Sequence, residues 1–571
     1  MECDEQQTPD ERPLVAIVGA GLGGLAAAAA LQRWGARVRV YERDASFDVR
    51  KQGYGLTMQQ GGAALRALGA EELGARCLAA SLHVSFASDG TVLGRYGRDA
   101  RREQERGDGD ERASPQPKKA KTGGGGARNF LIPRQHLRQE LLDMLEPGSV
   151  RWGCNFESYR APGGGGEGVT LGFAPNASGE REAEAEAALL VGADGVFSRV
   201  AKQRLAAEHT ALEYTGVLVV LGITPLGGPG AELRAHPLLQ GCNTVTETVD
   251  SAHRARLYTM PFSSTHHMWQ LSVPLPLAEA DALRAAGPVA LLREALRICD
   301  GWHEPLPALL RATASDDVTG YPVYDRTPLP AEALRPVRAG RAVDTAVTLL
   351  GDAVHPMAPF KGQGANQALL DGVELAQELQ RSVLGQRTAR ALARRRGGAE
   401  GQDGAQPEPE RSVEQALCSF EAGALRRSAI KVETSRRATR ELHDCPQASR
   451  RFIAARMDPC SAVASESKAP GGQQRQGRAS RRARRRMSGG DLVAQQQAAL
   501  LQCLHYPRVG QRVQVLSERR TSAYDAVVSA APGEELGVWR VRAVRPGGEV
   551  VGEAKAVHFS RLAANWGLGK A

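Results

Sequence analysis

Gly19, Gly21 and Gly24 stand in the order Gly-x-Gly-x-x-Gly, with Ala20 and Gly23 completing the run GAGLGG. That spacing suits the holding of a pyrophosphate. The first glycine permits a tight turn, the second lets the backbone approach the phosphates, and the third lets a helix pack closely on a strand. The phosphates would then face the positive end of the helix. Glu42, with Arg43 beside it, supplies a carboxylate able to accept hydrogen bonds from ribose hydroxyls. Such a carboxylate would repel a 2′-phosphate, so FAD or NAD suits this site better than NADP.

The elements needed to position these residues are visible around them. Leu14 to Val18 (LVAIV) is a short apolar run rich in β-formers, an alanine-rich stretch then reaches Trp34 and Gly35, and Val38 to Tyr41 forms a second run. This is a strand, turn, helix, turn, strand unit. In a chain with 64 glycines the motif alone would mean little, and this context makes it specific. Pro133 stands where a helix would begin, followed by a 3/4 apolar spacing through Leu137, Leu141, Leu142 and Leu145.

Three further segments, IPRQHLRQELL (132 to 142), LLVGADGVFSRV (189 to 200) and GDAVHPMAPFKGQGANQALLDG (351 to 372), follow GAGLGG in that order. Together they resemble the class A FAD-dependent monooxygenases, the para-hydroxybenzoate hydroxylase-like group, over roughly residues 13 to 445 apart from an insertion. The resemblance implies that Asp352 bonds the flavin ribityl or pyrophosphate region and that Arg134 reaches the flavin. It further implies that Gly364, Ala365 and Asn366 form a helix start beside the isoalloxazine ring. Free N–H groups at such a start would suit electron-rich flavin oxygens. Asp194, in the family's Asp-Gly motif, is linked to both flavin and pyridine nucleotide binding, although Asp-Gly is also common turn chemistry. After Ser198-Arg199-Val200 the chain has Ala201-Lys202 where the family often has an arginine, which leaves the nicotinamide contact open.

By the same resemblance, FAD is the cofactor, NADPH or NADH a transient co-substrate, and O2 and a small aromatic or polycyclic organic molecule the remaining substrates. No catalytic residue stands out. His355 follows the family's Asp-Ala-x-His arrangement, but a lone histidine beside an apolar strand is more often structural. A strand would place His267 and Trp269 on one face, with Tyr258 and Phe262 near, where core packing is the commoner reading. Two other functions share these features. One is an FAD-dependent reductase of the geranylgeranyl reductase type. The other is a flavin-containing redox-sensing protein that binds a protein or nucleic acid through its arginine-rich tail or C-terminal β module.

The expected fold is α/β: a Rossmann-like FAD-binding domain with an inserted, mainly antiparallel β-sheet substrate domain and a small C-terminal β-barrel-like module. The FAD-binding domain spans 13–204, with a charged Gly- and Pro-rich insertion at 98–128, and resumes at 340–382. The substrate domain spans 205–339. A linker (383–412), a helical segment (413–458), an Arg/Gln-rich segment (459–497) and an SH3- or Tudor-like module (505–571) follow.

With 571 residues, about three to four domains are expected at roughly 150 residues each. The net charge of +9 belongs to the tail, since residues 475 to 486 hold seven arginines and no acid. The longest apolar run, GVLVVLGI (216–223), is far shorter than the roughly 20 residues of a membrane span. The acidic start lacks the order of a signal or transit peptide, which points to a cytoplasmic address, with KKAK (118–121) and RRARRR as possible nuclear signals. Nine scattered cysteines without a CxxC pair point to free thiols, mostly buried, rather than disulfides or a metal site.

Overall fold

The computed structural model describes residues 10–49, 54–97, 129–161, 168–175, 179, 182–240, 243–335, 337–338, 341–342, 345–395 and 411–443, and five C-terminal strands between 512 and 564. It divides into two compact units, Met1–Arg475 and Gln476–Ala571.

The first unit contains a five-stranded parallel sheet. Its spatial order is Val347–Leu349, Leu189–Gly192, Leu14–Val18, Arg37–Tyr41 and Val150–Arg151. A parallel sheet is covered on both faces, and the unbroken apolar run of Leu14–Val18 reflects this. Val15 and Ile17 pack on the helices Leu22–Arg33 and Gly364–Gln380. Ala16 and Val18 face a three-stranded antiparallel sheet formed by Asn155–Arg160, Val169–Ala174 and Ala185–Ala187. Small residues let the two helices touch closely: a side chain at Gly372 would come 2.6 Å from the backbone nitrogen of Ala27.

A seven-stranded sheet stands beside it, in the order Val318–Asp325, Glu213–Pro225, His266–Pro274, Ala255–Pro261, Thr244–Asp250, Leu82–Ala87 and Val92–Gly97. All neighbours are antiparallel except Thr244–Asp250 with Leu82–Ala87. Side-chain alternation gives the sheet two environments. Leu218, Val220, Leu257, Trp269 and Leu271 form a core with the helices Pro288–Ile298 and Leu306–Arg311. Val217, Val219, Leu221, Met260 and Met268 point the other way, toward the parallel domain and the helix Val413–His443.

Two boundaries differ from expectation. The hairpin Leu82–Gly97, turned at Ser88-Asp89-Gly90, lies within the range expected for the cofactor domain yet forms the edge of the second sheet. Across this hairpin the rings of His83 and Tyr96 stack at 4.3 Å. The expected linker 383–412 contains a helix, Val383–Arg395, whose Leu384, Thr388 and Ala391 are buried while its arginines face outward. The expected helical segment 413–458 is helical over Val413–His443, and 444–458 fall outside the described residues. The insertion 98–128 and the arginines of 475–486 also fall outside them.

In the second unit five antiparallel strands take the order Val550–His558, Val538–Val544, Ala523–Ala530, Arg512–Leu516 and Leu562–Ala564. The last strand returns to pair with the first, the connectivity a small five-stranded barrel needs. Among the described cysteines Cys154 and Cys299 are buried, Cys77 is half-buried and Cys418 is exposed, all as free thiols. No helix among the described residues is long and apolar enough to cross a membrane.

Candidate active site

The glycine-rich turn leaves Leu14–Val18 and enters Leu22–Arg33. Gly19 has φ +106° and donates its N–H to the carbonyl of Tyr41 at 2.8 Å. A side chain there would come 2.5 Å from the carbonyl oxygen of Ala193, and one at Gly24 would overlap the carbonyl of Gly19. Gly21 differs, because a side chain there would meet only Nη2 of Arg134, 4.0 Å away. The space beside Gly21 is the open side of the turn. Glu42 is buried, and its two carboxylate oxygens accept the backbone N–H groups of Ala20 (2.7 Å) and Asp44 (3.1 Å). This ties the turn to the end of the next strand, while Arg43 is exposed at the cavity rim.

A second helix start enters from Arg134–Asp143. Arg134 lies over the ring of Tyr54 at 5.5 Å, and its Nη1 is buried without a hydrogen-bond partner among the described residues. One turn on, Arg138 donates from Nε to the carbonyl of Ala20 at 2.8 Å and stacks on Phe47 and Trp152. Spacing Arg134 and Arg138 by four puts both on the face toward the glycine turn. Arg138 was not singled out by the sequence, although this spacing was available as a signal.

The third start is that of Gly364–Gln380. Gly362, at φ +60°, turns the chain into it, and the N–H groups of Gly364, Ala365 and Asn366 precede the first helical hydrogen bond, Gln367 to Gln363. The Asn366 side chain is completely buried and fully used. Its Oδ1 accepts from the N–H groups of Gln59 (2.9 Å) and Gly61 (2.8 Å), and its Nδ2 donates to the carbonyls of Thr57 and Gly362. Asn366 lines the cavity, and its amide fastens the helix start to the Gly55–Met58 strand and the turn after it. Asp352 stands opposite, its Oδ1 3.7 Å from where a side chain at Gly364 would begin. Burial pushes the Asp352 carboxyl above the usual carboxylate range, opposed by His355 and Arg134.

Asp194 lines the same cavity, but its carboxylate closes its own loop, accepting from the Ser198 hydroxyl and the N–H groups of Arg199 (2.7 Å) and Val200 (3.3 Å). Burial nevertheless raises its pKa. His355 is withdrawn behind the Asp352 loop and pairs with Asp371, consistent with the structural reading. His267 and Trp269 do share a face, but it is the helix-covered one: Trp269 is fully buried and donates to Thr313 at 2.9 Å. Burial lowers His267 to about 4. The neighbouring parity, Met268 and Gln270, faces the cavity.

All three helix starts open into one cavity of about 1470 Å³. That exceeds the roughly 300–1,000 Å³ of a single drug-sized pocket and leaves room for an extended dinucleotide and a second ligand. One end is formed by the glycine turn, Glu42, Arg134 and Asp352, the other by the seven-stranded sheet, with Leu221, Val245, Met260 and Met268 among its apolar residues. Arg256 and Gln270 also belong to that end, and nothing in the sequence distinguished them.

A family model described as an FAD binding domain matches residues 13–227 and 308–395. The chain belongs to the class A FAD-dependent monooxygenase family. The aurachin C monooxygenase/isomerase of Stigmatella aurantiaca is 28% identical over 363 residues, covering 63% of this chain and 79% of that protein. The 6-hydroxynicotinate 3-monooxygenase of Pseudomonas fluorescens is 28% identical over 368 residues, covering 64% and 82%. In fold, the chain is similar to Klebsiella pneumoniae HpxO, solved with FAD and uric acid, with a TM-score of 0.57 at 21% identity over 79% of this chain and 94% of that one. The features of this monooxygenase's site fit FAD, its cofactor. The space beside Gly21 is open, Arg134 has a buried donor without a partner among the described residues, and three helix starts converge on the cavity.

Proposed function

We propose that this monooxygenase uses NADH or NADPH and O2 to hydroxylate a small, planar aromatic or polycyclic substrate held at the sheet end of the cavity. The observation that carries this reading is the continuity of the cavity. The space beside the glycine turn and the space beneath the apolar sheet face are one, so a cofactor held at Gly21 and a substrate against Met260 and Met268 can meet without crossing solvent.

The backbone of Gly19 to Gly21 and the first turn of Leu22–Arg33 hold the pyrophosphate, Glu42 the ribose hydroxyls, Arg134 and Asp352 the middle of the cofactor, and Gly364 to Asn366 the ring. Bound FAD supplies two-electron transfer from a nicotinamide and reaction with O2. The overall balance is substrate, NAD(P)H, a proton and O2 in, and hydroxylated substrate, NAD(P)+ and water out. What the chain contributes is orientation and dryness. Leu221, Val245, Met260, Met268 and Phe360 form an apolar wall that keeps water from the reacting atoms.

The test begins with FAD-loaded protein titrated anaerobically with NADH or NADPH, which bleaches the flavin. A panel of phenols, aromatic acids and fused-ring ketones is then offered with 18O2. Product carrying one 18O atom supports hydroxylation. A substrate reduced without O2 uptake would overturn it in favour of a reductase.

A further inference from the structure

The sheet end of the cavity carries polar groups whose arrangement selects the substrate's chemistry. Arg256 is 3% exposed and lines the cavity from the Ala255–Pro261 strand. Its Nε donates to Glu247 Oε2 at 3.0 Å, and its Nη2 lies 2.9 Å from the same oxygen. Glu247, fully buried, also accepts from the Ser85 hydroxyl at 2.9 Å. The guanidinium carbon lies 5.0 Å from the ring centre of Tyr258. This leaves Nη1 without an acceptor among the described residues.

Gln270 is the cross-strand partner of Tyr258, and Arg256 is paired with Ser272 on the same strand as Gln270. Arg256 and Gln270 are therefore diagonal neighbours on one face, about 7–8 Å apart in such a ladder. The Gln270 amide likewise lines the cavity without a partner among the described residues. Beside them, Val245, Met260 and Met268 offer an apolar bed.

We propose that Arg256 Nη1 and the Gln270 amide form a polar anchor for an uncharged planar ring system bearing a carbonyl-type oxygen. Glu247 already balances the charge of Arg256. A carboxylate brought to Nη1 would add a net negative charge in a buried place, where an unbalanced ion is strongly disfavoured. A neutral oxygen accepts the same hydrogen bond without that penalty. A ring with no acceptor would displace water from both donors and leave them unpaired. This deepens the hydroxylase reading and rests on it for the placing of the substrate at this end.

The test is calorimetric binding to the FAD-loaded full-length protein of three matched rings: chromone (neutral carbonyl), naphthalene (no acceptor) and 1-naphthoate (carboxylate). Chromone is expected to bind at least tenfold more tightly than the other two. In Gln270→Leu, and in Arg256→Met combined with Glu247→Gln so that no charge is left buried alone, chromone should fall to within about threefold of naphthalene. Naphthalene itself should keep its wild-type affinity. Tightest binding of naphthoate, equal binding of chromone and naphthalene to the wild type, no binding of any of the three, or an unchanged preference in Gln270→Leu would each overturn the anchor. Bleaching by NAD(P)H and 18O incorporation, measured on the same preparation, report the hydroxylase reading separately. They can fail while the ligand order holds, or hold while the order fails.

Discussion

The Nε2 atom of His355 lies 2.6 Å from Oδ2 of Asp371, and the same oxygen accepts the backbone N–H of Gly351 at 2.9 Å. A carboxylate only accepts, so Nε2 carries the proton. The other Asp371 oxygen is bonded by Arg427, which reaches on to Glu374 and Gln367. Through this buried chain the long Val413–His443 helix holds the loop that carries Asp352. Burial raises Asp371, but His355, Arg427 and Gly351 outweigh it and hold the carboxyl down to about 2. Its folded-state value lies below the unfolded one of 3.8, so its stabilisation is present above about pH 4 and is lost as pH falls toward 2. Asp371→Asn should lower stability at neutral pH by about 3 kcal/mol, because Arg427 loses a buried partner. It should also lose stability less steeply than wild type between about pH 4 and 3. Urea titrations of both proteins across that range check this.

Gly19 and Gly21 should respond oppositely to alanine. Gly19→Ala places a side chain against Ala193 at a φ of +106°, so the folded protein should lose about 2 kcal/mol or more. Gly21→Ala meets nothing closer than 4.0 Å and should leave the FAD-free stability within about 0.5 kcal/mol of wild type. Its methyl group does enter the space where the backbone must approach phosphates, and FAD affinity should fall about tenfold or more. Paired thermal melts and flavin-fluorescence titrations separate the two outcomes.

Arg134→Met removes a buried donor that has no partner among the described residues. The FAD-free variant should therefore be as stable as wild type, or more stable by up to about 1 kcal/mol. FAD affinity should weaken about tenfold, equivalent to 1.4 kcal/mol. A variant that melts early yet keeps wild-type FAD affinity would show that Arg134 serves the fold alone.

Two buried histidines make stability depend on mild acid. Burial lowers His267 to about 4, and His443, also chiefly through burial, to about 4. Neutral His443 donates from Nδ1 to the Thr439 carbonyl and accepts at Nε2 from the Ser272 hydroxyl. In the unfolded chain each takes up a proton near pH 6.5, so the folded state loses ground as pH falls from 6.5 toward 4, by roughly 3 kcal/mol per histidine. His443→Gln should flatten part of that slope in denaturant midpoints measured between about pH 7 and 5.

The cofactor half of the site was legible because its residues are local in sequence. A strand, three glycines, a helix and a carboxylate at the end of the next strand are dictated within Leu14 to Glu42, where backbone sterics and phosphate access leave few other solutions. The Asp352 and Gly364 segments were legible for the same reason, as one turn entering one helix. Their partners were not. Asn366 is spent on Thr57, Gln59 and Gly61, more than 300 positions away, and Asp194 on its own loop.

The sheet end of the cavity depended on registers that short-range patterns leave open. Strand alternation put His267 with Trp269, but which side of the sheet the helices would cover was a matter of packing, and that choice turned Met268 and Gln270 to the cavity instead. The hairpin Leu82–Gly97 likewise joins its sheet only through a parallel pairing with Thr244–Asp250. By itself the sequence determined the cofactor, the α/β plan and the glycine-rich turn with its Glu42 tie, since these follow from contacts within a few dozen positions. Only the tertiary structure decided which polar groups face the cavity and which are consumed in the core, because buried hydrogen bonds are satisfied by whatever the fold brings near.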